Sequence, residues 1–131
     1  MTVEHEVPAK PLIMVVDDAA DSAYALATIL EMWGYRSVVA TDPYTAIALA
    51  KGEPVDLFIL DIGMPGMDGY ELGAALKKEY SVAGFIGNSA WPRDLKREAA
   101  RGFAFDAYVL KPIGFTTLKK LIPVVLAEKL G

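Results

Sequence analysis

The chain of 131 residues contains no cysteine. This absence excludes disulfide bonds, thiolate metal sites and a cysteine nucleophile. The chain has a single histidine, His5, close to its N-terminus, where we expect it to be neither a metal ligand nor a phosphate carrier. Hydrophobic residues make up 53% of the chain, yet no apolar run approaches the roughly 20 residues of a membrane span.

Basic residues are too few for a domain that binds nucleic acid directly. The 13 Lys and Arg residues face 17 Asp and Glu residues, which gives a net charge of −4, whereas nucleic-acid binding usually requires a basic balance or a dense basic patch. The polar N-terminus does not resemble a signal peptide. We therefore expect one soluble, cytoplasmic, globular domain that binds neither nucleic acid nor membranes.

Residues 1–11 differ in character from the rest of the chain. They carry Pro8 and Pro11 among charged residues and show no hydrophobic periodicity. Such a segment is typical of a flexible lead-in. The remainder, 12–131, is predicted to be a single domain.

Apolar runs alternate with segments of helical spacing along this domain. The runs predict five strands, β1 to β5, at residues 12–16, 35–40, 55–60, around 85–86 and 107–110. The intervening segments predict five helices, α1 to α5, at residues 21–33, 43–50, 70–80, 92–101 and from 115 onwards. We expect Pro123 to kink or stop α5, because proline lacks an N–H and its ring clashes with the preceding turn. This alternation predicts an α/β fold with a parallel sheet covered by helices on both faces.

Polar residues stand at the ends of four predicted strands. They are Asp17 and Asp18 after β1, Asp61 after β3, Asn88 and Ser89 at the end of β4, and Lys111 after β5. The carboxyl ends of parallel strands share one edge, where ligands bind in such sheets. Three carboxylates there would repel one another unless a cation lay between them, and Mg²⁺ prefers such oxygen ligands. The cationic Lys111 would suit a phosphoryl group on the central carboxylate, Asp61, which can act as a nucleophile and form an acyl phosphate.

Four short motifs resemble those of the receiver domains of two-component response regulators. They are the Asp17-Asp18 pair, the segment DIGMPGMDG at 61–69, Ser89-Ala90 and Lys111-Pro112, and the resemblance spans about residues 12–122. It implies a CheY-like, flavodoxin-like three-layer sandwich, in which five helices flank a doubly wound, five-stranded parallel sheet of order 2-1-3-4-5. Residues 12–131 would then be one receiver domain.

The resemblance also implies a role for each site residue. Asp61 would be the phosphoacceptor, while Asp17, Asp18, Asp61 and the backbone carbonyl of Gly63 would hold Mg²⁺, for which Mn²⁺ could substitute. Ser89 and Lys111 would contact the phosphoryl oxygens. Tyr108 would act with Ser89 as the conformational switch, although a half-buried strand aromatic is the alternative reading of Tyr108. The Lys111-Pro112 peptide bond is expected to be cis, as an X-Pro bond allows.

The function implied by the resemblance is phosphotransfer signalling. The phosphoryl group would come from a phosphohistidine of a sensor histidine kinase or of a histidine phosphotransfer protein, and the α4-β5-α5 face would switch to contact a protein target that the sequence does not identify. The domain would assist its own phosphorylation and dephosphorylation without being an enzyme. A phosphorylation-dependent homodimer is compatible with this reading, although the kink or stop expected at Pro123 would alter the usual dimer face. Because the chain ends at Gly131, we expect a stand-alone module.

Three alternative functions fit the same residues less well. A Mg²⁺-dependent phosphohydrolase with an aspartate nucleophile needs a second carboxylate close behind Asp61, which 61–63 does not offer. A flavin-binding module needs a phosphate cradle after β1, whereas 17–21 is acidic and would repel phosphate. A binding-only pseudo-receiver usually lacks one of the acids or the lysine, and all are present here.

Charged residues outside the predicted site have structural interpretations. Asp68 is predicted to be the N-cap of α3, and Asp17 or Asp18 alone would suit an N-cap of α1. Three arginines at four-residue spacing predict a basic stripe on α4, namely Arg93, Arg97 and Arg101. We expect that stripe to be a solvated face paired with Asp94 and Glu98, the alternatives being an acidic partner or a dimer contact.

Overall fold

A computed structural model describes residues 10–112 and 114–130 of the chain. Residues 1–9 of the predicted lead-in, including His5, lie outside these described residues. Within the described ranges, no helix combines the length and the apolar character that crossing a membrane requires.

The described residues form one parallel sheet flanked by helices. Its five strands are β1 (Leu12–Val16), β2 (Arg36–Ala40), β3 (Leu57–Asp61), β4 (Gly84–Ser89) and β5 (Ala107–Leu110). The five helices are α1 (Ala20–Met32), α2 (Pro43–Ala50), α3 (Gly69–Glu79), α4 (Leu95–Arg101) and α5 (Phe115–Leu130). All strand pairs are parallel, in the order β2-β1-β3-β4-β5. The predicted fold and strand order are therefore confirmed, and apart from α4 and the end of β4 the element bounds differ from prediction by at most two residues.

Side chains of the central strands alternate between two hydrophobic layers. Phe58 and Phe85 belong to the layer that also contains buried residues of α2 and α3. Ile59 and Ile86 belong to the layer formed with α1 and α5. Burial on both faces explains why β1, β3 and β4 are apolar runs without polar alternation. It also holds the carboxyl ends of these strands at one edge of the sheet.

The fourth helix begins later than the sequence predicts. It starts at Leu95 rather than at Pro92, because the Asp94 side chain accepts hydrogen bonds from the N–H groups of Lys96 and Arg97 and so acts as the N-cap. It ends at Gly102, whose φ of 62° is the left-handed conformation common after a helix. The predicted end of α4 is thus confirmed, and its predicted start is wrong.

Pro123 does not stop α5. A stop was one of the two outcomes that the sequence predicts, and a kink was the other. The helix continues through Pro123 to Leu130. Pro123 is exposed, whereas Ile122, Val125 and Leu126 are buried against the sheet. Packing of this apolar face stabilises the helix on both sides of the proline, and the ring lies in solvent.

The three arginines are exposed, as expected, but the expected pairing within this segment is confirmed only for Arg93. Arg93 precedes α4 and binds the buried Glu98. Arg97 pairs instead with Asp68, and Arg101 lies 3.8 Å from Glu71. Because α3 packs beside α4, Glu71 of α3 and its N-cap Asp68 are the partners of Arg101 and Arg97.

Candidate functional site

The predicted strand-end residues converge at the carboxyl edge of the sheet. Asp61 and Ser89 are the last residues of β3 and β4, while Asp17 and Lys111 directly follow β1 and β5. These four strands are neighbours in the sheet. Residues separated by up to 94 positions in the sequence therefore lie in direct contact.

Three carboxylates form a compact cluster at this edge. Asp17, Asp18 and Asp61 each offer an oxygen atom, and these atoms all lie within 4.8 Å of one another. Asp17 and Asp61 are buried, whereas Asp18 is exposed, so the cluster opens to solvent on one side. Such a set of oxygen donors fits a hard divalent cation that keeps some of its water ligands.

A hydrogen bond directs the Asp17 carboxylate toward the cluster. Its Oδ1 atom accepts from the N–H of Ala19 at 2.9 Å. Helix α1 has Ala19 as its N-cap, with no side-chain cap. The alternative reading of Asp17 or Asp18 as the cap of α1 is therefore wrong.

Lys111 bridges two of the three carboxylates. Its Nζ atom lies 3.2 Å from Asp17 Oδ2 and 3.2 Å from Asp61 Oδ1. Burial alone would lower the pKa of Lys111, but the negative charges of Asp61 and Asp17 outweigh burial and raise it. The side chain is therefore a stable cation, and the Lys111-Pro112 peptide bond after it is cis.

Asp61 is surrounded by more negative charge than Lys111 neutralises. Burial raises the pKa of Asp61, and the charge of Asp17 raises it further, while Lys111 acts in the opposite direction. The net effect is a pKa above the ordinary aspartate value. The site therefore favours the arrival of further positive charge.

An open depression of about 220 Å³ gives access to Asp61. Its lining comprises Asp18, Asp61, Gly63, Ser89, Ala90, Trp91 and Lys111. Gly63 is thus placed beside the carboxylates, as its expected role requires. Trp91 is exposed and forms part of the rim.

Ser89 and Tyr108 hold the turn that follows β4. The buried Ser89 Oγ accepts a hydrogen bond from the N–H of Trp91 at 3.0 Å. The half-buried Tyr108 hydroxyl donates to the carbonyl oxygen of Trp91 at 2.9 Å. Burial raises the pKa of Tyr108 to about 12, so this hydroxyl stays a neutral donor. Gly87 allows the tyrosine ring to lie on β4, since an added Cβ would lie only 2.6 Å from a ring carbon.

Asn88 is a buried polar residue next to Asp61 in the sheet, and the sequence analysis assigns it no role. It is only 2% exposed, and its buried Oδ1 atom has no hydrogen-bond partner among the residues that the structure describes. In the sheet it lies in register with Asp61 on one side and Val109 on the other. The available signal was a single polar residue inside a strand whose other positions are apolar, glycine or the terminal Ser89.

Comparisons with known proteins agree with this geometry. The sequence model of the response regulator receiver domain matches residues 13–123. Protein PilH of Pseudomonas aeruginosa is 31% identical over 117 residues, which are 88% of this chain and 97% of PilH. Several other curated relatives are longer, and the chain spans less than half of their length.

Solved structures give the same result for the fold. A CheY-like response regulator receiver domain protein from Methanospirillum hungatei has a TM-score of 0.84 at 26% identity, covering 92% of this chain and 97% of that one. The response regulator TrrA of Thermotoga maritima, solved in complex with Mg²⁺ and BeF, has a TM-score of 0.77 at 30% identity. That match covers 88% of this chain and 98% of TrrA.

Proposed function

Because this chain belongs to the response regulator receiver domain family, we propose that it accepts a phosphoryl group on Asp61 and passes the signal on by contact with another protein. The observation that carries this proposal is the position of the Asp61 carboxylate. It lies at the wall of an open depression, next to the Lys111 ammonium group and two further carboxylates.

The proposed reaction is a displacement at phosphorus. A carboxylate oxygen of Asp61 attacks the phosphorus atom of a phosphohistidine, the P–N bond breaks as the P–O bond forms, and the electron pair stays on the imidazole nitrogen. Lys111 is placed to donate hydrogen bonds to the phosphoryl oxygens and stabilise their charge. Ser89 Oγ accepts a hydrogen bond from the Trp91 N–H, and the serine hydroxyl also has a proton that it can donate to the phosphoryl group.

The donor set beside Asp61 fits a divalent cation. Asp17, Asp18, Asp61 and the carbonyl of Gly63 would hold Mg²⁺, with Mn²⁺ as a substitute of similar ligand preference. When bound, the cation neutralises the charge that the carboxylates and the phosphoryl group bring together. The backbone N–H of Ala19 holds the Asp17 carboxylate in place, and the Lys111 ammonium group holds that of Asp61.

The switch would run through the turn after β4. Ser89 binds the N–H of Trp91, and Tyr108 binds the carbonyl oxygen of the same residue. Movement of Ser89 toward a phosphoryl group would break its hydrogen bond with the Trp91 N–H. Trp91 would then no longer be held in the position in which its carbonyl oxygen binds Tyr108. The two conformations of this turn would shift the population of the α4-β5-α5 face.

The remaining features of the proposal concern partners and location. The phosphoryl donor would be a sensor histidine kinase or a histidine phosphotransfer protein, and residues 12–131 would act as one cytoplasmic receiver domain without direct contact to nucleic acid. A homodimer formed on phosphorylation is part of the same hypothesis. The depression of about 220 Å³ is smaller than typical small-molecule sites, which favours a phosphoacceptor over a phosphohydrolase with its own substrate.

The proposal is tested by incubation with acetyl phosphate and MgCl₂, followed by intact-mass measurement. We expect a single phosphoryl adduct that requires Mg²⁺ and is absent in Asp61→Asn. Asp68→Asn is the matched control, because it removes a carboxylate from the same loop outside the cluster and should still be phosphorylated. An adduct in Asp61→Asn, or no adduct in a wild-type protein that binds Mg²⁺, would contradict the proposal, and the latter result would favour a pseudo-receiver.

A further inference from the structure

Lys111 must cross the end of a neighbouring strand to reach the carboxylates. It follows β5, which is separated from β3 by β4, and adjacent strands lie about 4.8 Å apart. Its Nζ atom nevertheless lies 3.2 Å from Asp61 at the end of β3 and 3.2 Å from Asp17 after β1. The lysine side chain therefore passes over the carboxyl end of β4.

Asn88 lies at the place where Lys111 crosses. It is in register with Asp61 and Val109, between the two strands that the lysine connects. Side chains alternate along a strand, so Asn88 shares a face with Ile86, which packs with Val109 in the layer beneath α1 and α5. The following residue, Ser89, is on the opposite face by the same alternation. Asn88 is thus the strand residue beneath the lysine side chain.

The carboxamide oxygen of Asn88 is unpartnered at this position. It is the buried side-chain oxygen or nitrogen atom that lacks a hydrogen bond within the described part of the chain. A buried carbonyl oxygen without a donor destabilises a fold, and a leucine or valine would avoid that effect. The Lys111 ammonium has three N–H donors, and the hydrogen bonds of the described residues use two of them.

The two acceptors of Lys111 are also two members of the carboxylate cluster. A divalent cation held by Asp17 and Asp61 would repel the ammonium that binds the same two carboxylates. Lys111 must then give up at least part of this bridge. An alternative acceptor close to its path would lower the free energy needed for that release.

We propose that Asn88 is a positioning residue for Lys111. Its carboxamide oxygen accepts a hydrogen bond from the Lys111 ammonium group when a divalent cation is bound by Asp17 and Asp61. Held there, Lys111 stays beside Asp61, where the incoming phosphoryl oxygens need a donor. This inference rests on the proposed function, which it deepens by naming how the cation and the lysine share one pair of carboxylates. It assigns to Asn88 a use for an atom that otherwise only destabilises the protein.

The test is calorimetric titration with MgCl₂ alone, without any phosphodonor. The four proteins are the wild type, Asn88→Leu, Lys111→Met and the double variant, which form a double-mutant cycle. We expect Asn88→Leu to weaken Mg²⁺ binding roughly tenfold, the equivalent of one hydrogen bond to a charged group. In the Lys111→Met background the same substitution should change the Mg²⁺ affinity less than about twofold, because no ammonium group is present to donate a hydrogen bond to Asn88.

Two outcomes of this cycle would overturn the inference. Unchanged Mg²⁺ affinity in Asn88→Leu would mean that the acceptor is not used. Equal weakening in both backgrounds would mean that Asn88 acts on the cation or on the fold, and not through Lys111. Ile86→Val is the matched packing control on the same strand and face, and it should leave Mg²⁺ affinity unchanged.

Stability measurements separate positioning from simple damage to the fold. In the absence of metal, Asn88→Leu and the strand-compatible Asn88→Val should unfold at a higher urea midpoint than the wild type, because each removes the unpartnered oxygen. A lower midpoint in both variants together with weaker Mg²⁺ binding would overturn the inference. A complete Mg²⁺ cycle with no adduct from acetyl phosphate would instead overturn the proposed function alone.

Discussion

Asp61 and Glu98 are both buried carboxylates, with 6% and 3% of their surfaces exposed, yet their pKa values move in opposite directions. Burial and the charge of Asp17 raise the pKa of Asp61. Burial also acts to raise the pKa of Glu98, but hydrogen bonds from Arg93 and from the N–H of Phe105 outweigh it and lower that pKa.

The difference comes from the donors that each carboxylate receives. Glu98 accepts two hydrogen bonds from Arg93, at 2.7 and 2.9 Å, and a third from the Phe105 N–H at 2.7 Å. Asp61 has the Lys111 ammonium, which it shares with Asp17. The protein thus satisfies its charges where a helix must be held in place and leaves them incomplete where a ligand is expected. Substitutions should therefore destabilise the first region and stabilise the second.

The largest expected effect is at Glu98. Glu98→Ala should lower the free energy of unfolding by about 3 kcal/mol, because it leaves the Arg93 guanidinium and the Phe105 N–H without their acceptor. Urea unfolding measures this loss. Glu98→Gln is the control. It keeps an acceptor for the Phe105 N–H, so its free energy of unfolding should fall clearly less. Equal losses in the two variants would show that the negative charge, and not the hydrogen bond to Phe105, carries the whole effect.

Acidification should remove the contribution of Glu98. Its folded-state pKa is lowered, so its stabilising effect is complete above the ordinary glutamate pKa and is lost as pH falls through the folded value. We expect the difference in Tm between wild type and Glu98→Gln to shrink as pH decreases from neutral through this range. A difference that stays constant with pH would contradict the lowered pKa.

A gain in stability is expected at Asp61. In metal-free buffer Asp61→Asn should raise the free energy of unfolding by about 1 kcal/mol, because it removes a like charge beside Asp17 while Lys111 keeps one carboxylate. Urea midpoints with a chelator present measure this gain. Added MgCl₂ should stabilise the wild type more than the variant. A less stable variant would show that the Lys111 bond to Asp61 outweighs the repulsion.

The smallest effects are expected for the exposed ion pairs between α3 and α4. Arg97→Ala should cost about 0.5–1 kcal/mol, since Arg97 pairs with Asp68 and also lies 4.9 Å from the Tyr70 ring centroid. Arg101→Ala should change stability by less than about 0.3 kcal/mol, because its partner Glu71 is 3.8 Å away. Thermal unfolding at low and high salt measures both. A loss for Arg97→Ala that exceeds the loss for Glu98→Ala would invert the comparison.

An additional variant separates the ion pair from helix capping. Asp68 also caps α3 by accepting from the N–H of Glu71 at 2.9 Å. Asp68→Asn keeps this acceptor and removes the charge. The resulting decrease in the free energy of unfolding should therefore equal the contribution of the ion pair with Arg97 alone. A much larger loss would show that Asn does not replace the cap.

Neighbouring elements of the fold differ in how well the sequence alone predicts them. β3 and β4 were predictable because strands buried on both faces are apolar throughout. The start of α4 was not, because Pro92 and Asp94 are both good helix-start signals, and the bonds from Lys96 and Arg97 to Asp94 decide between them. The partners of Arg97 and Arg101 were also missed, since they belong to α3 and its N-cap and not to α4.

The order of apolar runs and the polar residue after each run determined the fold and the location of the site. This follows because parallel strands place their carboxyl ends at one edge, whatever the details of packing. Only the tertiary structure decided which donor each carboxylate receives. Asp17 and Lys111 are 94 positions apart in the sequence, and the opposite pKa shifts of Asp61 and Glu98 and the unpartnered oxygen of Asn88 depend on contacts of a few ångströms. Hydrogen bonds and charge interactions are that sensitive to distance and direction, whereas hydrophobic patterning is not.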